Sequence, residues 1–322
     1  MLLGVLLFLT SCSNNDVVKK GEYISFTHTY GDGEDFFSDV YYYDINRETL
    51  KKITTLPHTS NYPITVYDAN RNMVYYQKRS TVNEINYDDV YQVDLADGSE
   101  KKITGGLAGT NYMVPMNDGL FHVSLDAKVN NDQLLPFFYN FSDETTTLLK
   151  SPLDHTIKDI SYNIYTNKIA TSSHNEPDFY QLLLNQLEVK LIAPENRLMI
   201  YDDIMGEPKD LVTTQEKRVI SIGLFQNHLE SMDFGNMDDN TKEDIITTTV
   251  DLSNSNVAWI DKVGFDDLAK YIGTNQDESK LYFLDPDGSL GVYDYGTEEV
   301  KWIFTSTVGS SKINNAIMLR KD

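Results

Sequence analysis

The sequence predicts an all-β protein, a six-bladed β-propeller whose ring is closed by its C-terminal strand. Three observations carry this prediction. A hairpin pattern recurs along the chain, the segments between turns are rich in tyrosine, threonine, valine and isoleucine, and one strand near the C-terminus has no hairpin of its own. Repeats of about 40–50 residues that each hold four short strands are typical of propeller blades.

The clearest repeat relates residues 39–54 to residues 89–104. Eight of the 16 aligned positions are identical at a constant offset of 50 residues. Each segment has an alternating strand, a polar turn and a second short strand, which is the pattern of a β-hairpin. Weaker copies bring the number of repeats to six. The residues that correspond to Asp44 in the later repeats are Asp94, Asn140, Leu183, Asp251 and Asp294.

The fourth and fifth repeats are the least regular. We predict that residues 178–193 form the outer hairpin of the fourth repeat. Residues 197–213 also resemble a hairpin, but they begin only four residues later. We therefore assign them as the inner strand and an insertion of the fifth repeat, which explains the 68-residue spacing between Leu183 and Asp251.

Closure of the ring follows from the two ends of the chain. Two further strands precede most hairpins, as at residues 64–68 and 73–78 in the second repeat. The first repeat lacks an inner strand, because residues 23–28 already occupy the place of the second strand. Residues 313–320 form an apolar strand after the last hairpin. A single blade cannot bury both of its faces, so we predict that this strand completes the first blade.

The charge of the chain limits its partners. Acidic residues outnumber basic residues by 49 to 27, and the formal net charge is −22. Such a surface repels the phosphate backbone of nucleic acids and disfavours unaided adsorption to anionic lipid. We therefore expect no nucleic-acid partner. We expect a monomer whose partner is a protein or a glycan of the cell envelope.

The N-terminal residues resemble the signal of a bacterial lipoprotein. Residues 2–10 are apolar but too few to span a bilayer, and Leu9-Thr10-Ser11-Cys12 is similar to a lipobox. The resemblance implies that residues 1–11 are a cleaved signal peptide, that the single cysteine, Cys12, is lipidated, and that residues 12–21 form a tether. Residues 22–322 then form the propeller of a lipid-anchored, extracytoplasmic protein of the cell envelope. The alternative is a buried cysteine after an apolar first strand.

The YxxD…LT hairpins and the turn at residues 285–288 resemble the TolB-like and dipeptidyl-peptidase-type six-bladed propellers. The resemblance covers the chain from about Glu22 to its end. It implies the fold. It does not imply one activity, because these families include periplasmic partner-binding proteins, propeller caps on serine peptidases and some sugar-acid lyases. Asn140 and Leu183 depart from the pattern, since they stand where the hairpins usually carry aspartate.

The distribution of the loops predicts the functional surface. In a propeller, connections between the second and third strands share one face with connections between blades, and these are the long connections here, as at residues 77–88 and 226–244. Function usually resides in long loops on a rigid scaffold. All six histidines are expected on or beside this face. The predicted ligand-binding residues are His28, Asp32, Glu34, Asp35, His58, His174, Glu176 and His228.

Two functions remain open from the sequence. The first is a binding or scaffold protein without a catalytic residue or cofactor, since the chain has no GxSxG, P-loop, HExxH or dinucleotide motif. The second is a propeller lyase or hydrolase that acts on a carbohydrate with histidines and a divalent metal in the central funnel. It requires at least three histidines or acidic neighbours to converge near the axis. Aromatic residues that could instead bind a glycan, or that only pack between blades, are Tyr30, Phe36, Phe37, Tyr62, Tyr87 and Tyr112.

Overall fold

The structure of the protein is a computed structural model that describes residues 20–32, 35–57, 63–127, 133–184, 194–215, 218–234, 245–252, 257–260, 270–305 and 312–322. These residues form six antiparallel four-stranded sheets, which confirms the predicted six-bladed propeller. No helix in these ranges is long and apolar enough to cross a membrane.

The first three blades follow the predicted repeats. The first contains β1 (Gly21–Asp32), β2 (Asp35–Asp44) and β3 (Thr49–Pro57). The second contains β4 (Thr65–Asp68), β5 (Met73–Val82), β6 (Ile85–Asp94) and β7 (Glu100–Lys102). The third contains β8 (Leu107–Pro115), β9 (Gly119–Asp126), β10 (Leu134–Asn140) and β11 (Thr145–Leu148).

The other three blades complete the ring. The fourth contains β12 (His155–Asn163), β13 (Lys168–Asn175), α1 (Glu176–Leu184), β14 (Asn196–Tyr201) and β15 (Lys209–Thr214). The fifth contains β16 (Arg218–Leu224), β17 (His228–Phe234), β18 (Ile245–Asp251) and β19 (Val257–Ile260). The sixth contains β20 (Lys270–Thr274), β21 (Lys280–Leu284), β22 (Leu290–Asp294) and β23 (Glu299–Phe304), and β24 (Lys312–Lys321) follows it.

The ring closes as predicted, through β24. This strand pairs antiparallel with β1, so the first blade takes its inner strand from the C-terminal end of the chain and its other strands from the N-terminal end. The buried side chains of β24 divide between two apolar clusters. Ile317 and Leu319 join a cluster that extends through the first four blades, whereas Met318 packs in the cluster that includes Ile272 of the sixth blade. The strand therefore packs against both neighbours of the first blade, the second blade and the sixth.

The identical residues of the repeat have structural roles. Asp89 is fully buried and accepts hydrogen bonds from Thr104 Oγ1 at 3.4 Å and from Leu107 N at 3.1 Å, while Lys102 Nζ lies 2.6 Å from its other oxygen. It thus joins its hairpin to the first residue of the next blade. Asp39 makes the same kind of contacts with a threonine and a lysine of β3. Burying a carboxylate is costly unless such partners are present, which explains why the aspartate and the lysine recur together. The threonine that contacts Asp39 is Thr55, one position after the residue aligned with Thr104.

The residues at the Asp44 position cap turns. Asp44 Oδ1 accepts a hydrogen bond from Arg47 N at 3.0 Å, and Asn140 Oδ1 accepts one from Ser142 N at 2.8 Å. An amide oxygen accepts this bond as well as a carboxylate does. The departure at Asn140 therefore leaves the turn intact.

The fourth blade corrects the sequence prediction. Residues 176–184 form the helix α1 rather than a strand, and the outer hairpin is β14–β15. Leu183 is therefore not the counterpart of Asp44. By its place after β14 the counterpart is Asp202, whose Oδ1 lies 2.5 Å from Lys168 Nζ at the start of β13. The turn itself is capped by the next residue, Asp203, whose Oδ1 accepts a hydrogen bond from Met205 N at 3.2 Å. The insertion belongs to the fourth blade, and the inner strand of the fifth blade is β16.

A helix-start signal explains the error. Asn175 Oδ1 accepts a hydrogen bond from Asp178 N at 3.0 Å and caps the first turn of α1. Pro177 stands in that turn, where a missing N–H leaves no hydrogen bond unmade. The carboxylates of Glu176 and Asp178 oppose the positive end of the helix dipole. These four consecutive residues outweigh the alternating apolar pattern that follows them.

Candidate functional site

The sheets divide their connections between two faces. We call the face with the β1–β2, β5–β6, β9–β10 and β13–β14 connections, and with the connections between blades, the long-loop face. The opposite face is the short-turn face. Two connections of the long-loop face are tight hairpins, including the predicted loop at residues 77–88. The β1–β2 ladder continues to Asp32 and Asp35, and the β5–β6 ladder continues to Val82 and Ile85.

His174 and Glu176 come together on the long-loop face, at the junction of β13 and α1. His174 is buried, and its Nε2 lies 3.2 Å from Glu176 Oε2. Its ring stacks on Phe179 of α1 with centroids 4.5 Å apart. Lys158 Nζ lies over the Phe179 ring, 5.2 Å from its centroid. The helix inserted into the fourth blade therefore supplies both the carboxylate and the ring that hold His174.

His155 lies on the neighbouring strand β12 and has separate partners. Its Nδ1 lies 3.2 Å from Ser173 Oγ, and its Nε2 lies 3.5 Å from Glu195 Oε1. Burial and the charge of Arg197 lower the pKa of His155, and Glu195 opposes that shift. The carboxylate that contacts His155 lies in the segment before β14, whereas the carboxylate that contacts His174 lies in α1.

Ser173, His155 and Glu195 have the connectivity of a hydrolase triad. A nucleophile must be reachable by its substrate, and only 1% of the Ser173 surface is exposed. Ser173 also belongs to β13, which is paired on both sides within the sheet. We conclude that these three residues join β12 and β13 to the segment before β14 and are not placed for acyl transfer.

His28 and His122 are buried in the interiors of their blades. His28 packs against Tyr30 and Phe304, with centroids 5.5 and 4.9 Å away, and burial lowers its pKa against the opposing charge of Asp39. His122 is fully buried, and burial lowers its pKa to about 3. The Nε2 atoms of both rings have no hydrogen-bond partner among the described residues. Neither imidazole reaches the surface that was predicted to bind a ligand.

His228 corrects the prediction that all six histidines share the long-loop face. It is the first residue of β17 and pairs with Asp251 at the end of β18, which places it on the short-turn face. Its Nε2 lies 3.5 Å from Glu230 Oε1, and its ring stacks on Phe225 at 4.3 Å. The segment predicted as one loop at residues 226–244 is therefore not a single loop. Residues 226 and 227 belong to the turn between β16 and β17, and residues 228–234 form β17.

The structure gives little information on several of the predicted site residues. Glu34, His58 and Cys12 lie outside the described residues. Asp32 and Asp35 stand opposite each other at the end of the β1–β2 ladder. Within the described ranges, no three or more histidine, cysteine, aspartate or glutamate side chains are grouped so that they could hold a metal ion. The histidines described there therefore do not form the convergent site that the enzyme hypothesis requires.

The axis of the propeller holds a polar cluster that the sequence did not reveal. Lys270 of β20 places Nζ 4.1 Å from the centroid of Tyr112 of β8, on the opposite side of the ring, and 3.0 Å from Asp159 Oδ1 of β12. Ser221 Oγ of β16 donates to Asp159 Oδ2 at 2.9 Å. The surrounding protein and the charge of Asp159 raise the pKa of Tyr112 well above its usual value. Inner strands of four blades are thus joined at the axis.

A second axial link comes from Asn315 of β24. Its Oδ1 accepts a hydrogen bond from Met113 N at 3.2 Å, and its Nδ2 donates to Thr65 O at 3.0 Å. One side chain therefore joins the inner strands of the first three blades. Together the two links join the inner strands of all six blades.

The long-loop face instead presents apolar side chains to solvent. Leu153, between β11 and β12, is 89% exposed, and Val82 and Ile85 at the β5–β6 tip are each 52% exposed. Tyr180 of α1 is also exposed. On the short-turn face Leu50, Met205 and Tyr295 are exposed at or beside three separate turns. The signal for Val82 and Ile85 was present in the sequence, as two apolar residues on either side of Asn83-Glu84.

The aromatic residues considered for glycan binding have other surroundings. Tyr112 lies in the axial cluster. The Tyr30 ring stacks on His28 and lies 6.0 Å from the Phe37 ring. Tyr62 lies outside the described residues.

Comparison with solved structures identifies similar folds. The chain is similar to a chain in the crystal structure of a nidogen/laminin complex, with 9% sequence identity and a TM-score of 0.58 over 92% of this chain and 98% of that chain. It is also similar to the β-propeller domain of the Trilobed protease from Pyrococcus furiosus, which is described as having an open velcro topology. There the identity is 12% and the TM-score 0.54, over 89% of this chain and 83% of that chain. At such identities the likeness shows the propeller fold alone.

Neither a family model nor a curated protein sequence matches the chain. The propeller fold is shared with binding domains and with protease propellers, so the fold leaves the function unspecified.

Proposed function

We propose that the protein is an extracytoplasmic binding protein, anchored to the membrane through Cys12, that captures its partner on the long-loop face of the propeller. The observation that carries the proposal is the exposure of Leu153, Val82, Ile85 and Tyr180, which belong to three different connections of that face. Contiguous exposed apolar patches mark interaction sites, and we propose that these side chains contribute to one. Connections held by a rigid scaffold are where such sites usually lie.

The arrangement of the histidines supports binding over catalysis. A general acid or base must come within hydrogen-bond reach of the substrate. His28 and His122 lie beneath packed rings, while His155 and His174 are each engaged by a different carboxylate of the fourth blade. These contacts stabilise the sheets and the helix α1 from which the long-loop face is built.

The entry point of the chain supports an outward orientation of this face. β1 begins at Gly21, next to Lys321 of β24, on the short-turn face, and ends at Asp32 on the long-loop face. A 12-residue strand separates these two ends by about 36 Å. A tether that runs from Cys12 to Gly21 therefore joins the propeller on the short-turn face. The long-loop face of the anchored protein then points away from the membrane, toward a partner.

Site-specific photocrosslinking in cells tests the proposal. A photoreactive phenylalanine analogue replaces Leu153 or Ile85 on the long-loop face, and Met205 or Tyr295 on the short-turn face as matched exposed controls. We expect crosslinked partner from the first two positions and none from the controls. Crosslinks from the control positions alone, or from none of the four in cells where the protein is expressed and folded, would overturn the proposed binding face.

A further inference from the structure

The β5–β6 hairpin extends beyond its own blade. The last pair between β4 and β5 is Thr65 with Tyr76, and the last pair between β6 and β7 is Tyr91 with Lys102. The β5–β6 ladder continues from there to its tip. The base of this hairpin is buried at Asp88 and Asp89. About three residues of each strand, at 80–82 and 85–87, therefore project as a two-stranded ribbon, which corresponds to about 10 Å.

Polar pairs on one side make this ribbon rigid. Two-stranded ribbons are marginally stable by themselves. Here Arg79 and Asp88 form a bidentate pair, with Nε–Oδ1 at 2.9 Å and Nη2–Oδ2 at 2.7 Å. Thr81 Oγ1 and Asn86 Oδ1 lie 2.8 Å apart. The two-residue turn has left-handed backbone at both positions, as hairpins with right-handed twist prefer.

The opposite side of the ribbon carries its apolar residues. Side chains alternate between the two sides of a strand, so Val82 and Ile85 lie on the side away from Arg79 and Asp88. They form the last cross-strand pair, and each is 52% exposed. The polar side chains of the ribbon thus bond to one another on one side. On the other side the ribbon exposes an apolar pair to solvent.

The charge around this apolar pair is negative. Glu84 stands in the turn between Val82 and Ile85, is exposed, and makes no ion pair with any residue the structure describes. No lysine or arginine occurs between Arg79 and Lys101 in the sequence. The neighbouring β1–β2 hairpin ends at Asp32 and Asp35 on the same face. The surface thus combines an apolar contact with an uncompensated carboxylate.

From this combination we infer that the β5–β6 tip binds a cationic amphipathic segment of a protein partner. Val82 and Ile85 contact the apolar stripe of that segment, and Glu84 pairs with a lysine or arginine at its border. The inference rests on the proposed function and names the partner chemistry for its face.

Charge distinguishes this occupant from two others. Insertion of the tip into a bilayer would carry the Glu84 carboxylate into a region where charge is costly, and the net charge of −22 opposes approach to anionic lipid. A second copy of the chain has the same net charge and would bring like charge against the tip. A basic, amphipathic polypeptide satisfies both the apolar pair and the carboxylate.

Fluorescence anisotropy with a defined probe tests the inference. The probe is a fluorescein-labelled amphipathic Leu/Lys peptide of about 18 residues, titrated with the full-length chain at about 0.15 M salt. We expect Val82→Ser/Ile85→Ser to weaken binding by about tenfold or more, and Glu84→Lys to weaken it similarly. The apolar control is Leu50→Ser/Met205→Ser. The charge control is Glu298→Lys, an exposed turn glutamate that also has left-handed backbone. Both controls should bind as wild type does.

The outcomes separate the possibilities. Equal weakening by Glu84→Lys and Glu298→Lys would show general charge attraction and overturn the inference. Two measurements without peptide test the other occupants. If the wild-type chain binds phosphatidylglycerol vesicles, or self-associates in sedimentation, and the Val82→Ser/Ile85→Ser variant does not, the inference is overturned. If crosslinks from Leu153 persist while the hairpin variants bind the peptide normally, the binding face stands and the inference about the tip fails. Unchanged melting temperatures of the variants confirm that they fold.

Discussion

Replacement of His122 by phenylalanine should make the protein less sensitive to mild acid. His122 is fully buried in β9, and its ring stacks on Phe137 with centroids 5.3 Å apart and planes within 10°. Phenylalanine preserves a flat ring in that stack but cannot be protonated. Ser124 loses His122 Nδ1 as a partner and keeps Thr110 Oγ1, at 2.9 Å.

The magnitude follows from the pKa of His122 in the two states. Burial lowers it to about 3 in the folded protein, against about 6.5 in the unfolded chain. Because the folded state has the lower pKa, protonation favours unfolding. The contribution of neutral His122 is fully present above about pH 6.5 and is lost as the pH falls from there toward about 3. Between about pH 7 and pH 5, the linkage relation gives a loss of about 2 kcal/mol in the free energy of unfolding.

Urea unfolding followed by intrinsic fluorescence at pH 7, 6 and 5 measures this difference. The free energy of unfolding should fall more steeply in wild type than in His122→Phe, by about 2 kcal/mol over the range. His28 and His155 titrate in both proteins, so their contributions cancel in the difference. His122→Gln, which also cannot titrate in this range, should match the phenylalanine variant in slope whatever its absolute stability. Parallel curves for all three proteins would refute a buried, neutral His122.

Three further predictions concern the anchor and the ring. Cys12→Ala should release the protein from the membrane fraction or leave its precursor uncleaved, and equal membrane retention with normal processing would count against lipidation. Deletion of residues 313–322 should expose the edge of β1 and abolish the cooperative thermal transition, whereas an unchanged melting curve would show that another strand closes the ring. Asn315→Ala should lower the free energy of unfolding by about 2–3 kcal/mol, because it leaves Met113 N unpaired and replaces asparagine, which tolerates left-handed backbone, with alanine at φ 47°. Asn315→Gly should be milder by about 1 kcal/mol, and equal losses would remove backbone strain from the explanation.

The hairpins could be predicted from local patterns, and the closure could be predicted by counting the strands of each repeat. The repeat at residues 39–54 and 89–104 carries the turn aspartates and the buried aspartates whose contacts build each hairpin. The strand at residues 313–320 could be placed because the first blade lacked one strand. The fourth blade was misread because Leu183 lies in an apolar, alternating segment. Its state is decided by the cap at Asn175, and a few N-terminal residues can determine helix formation over a weak strand pattern.

The candidate surface was harder to predict, for two different reasons. Lys270 and Tyr112 meet only because the ring brings opposite blades together at the axis, and no local pattern encodes that contact. His228 was placed on the wrong face because the register of the fifth blade depended on the misassigned insertion. Val82 and Ile85 were visible as apolar residues beside a polar turn. Their exposure depends on where β4 and β7 end, and those ends follow from tertiary pairing.

The axial links bear directly on how the long-loop face can bind. Asn315 connects the inner strands of the first three blades, and the contacts of Asp159, Lys270 and Tyr112 connect those of the third, fourth and sixth. Blades joined in this way cannot shift independently without breaking these partly buried polar contacts, which costs free energy. The connections on the long-loop face are therefore held in fixed relative positions. A partner that contacts two blades at once loses little free energy to ordering the propeller, so its affinity depends on the exposed side chains of the connections themselves.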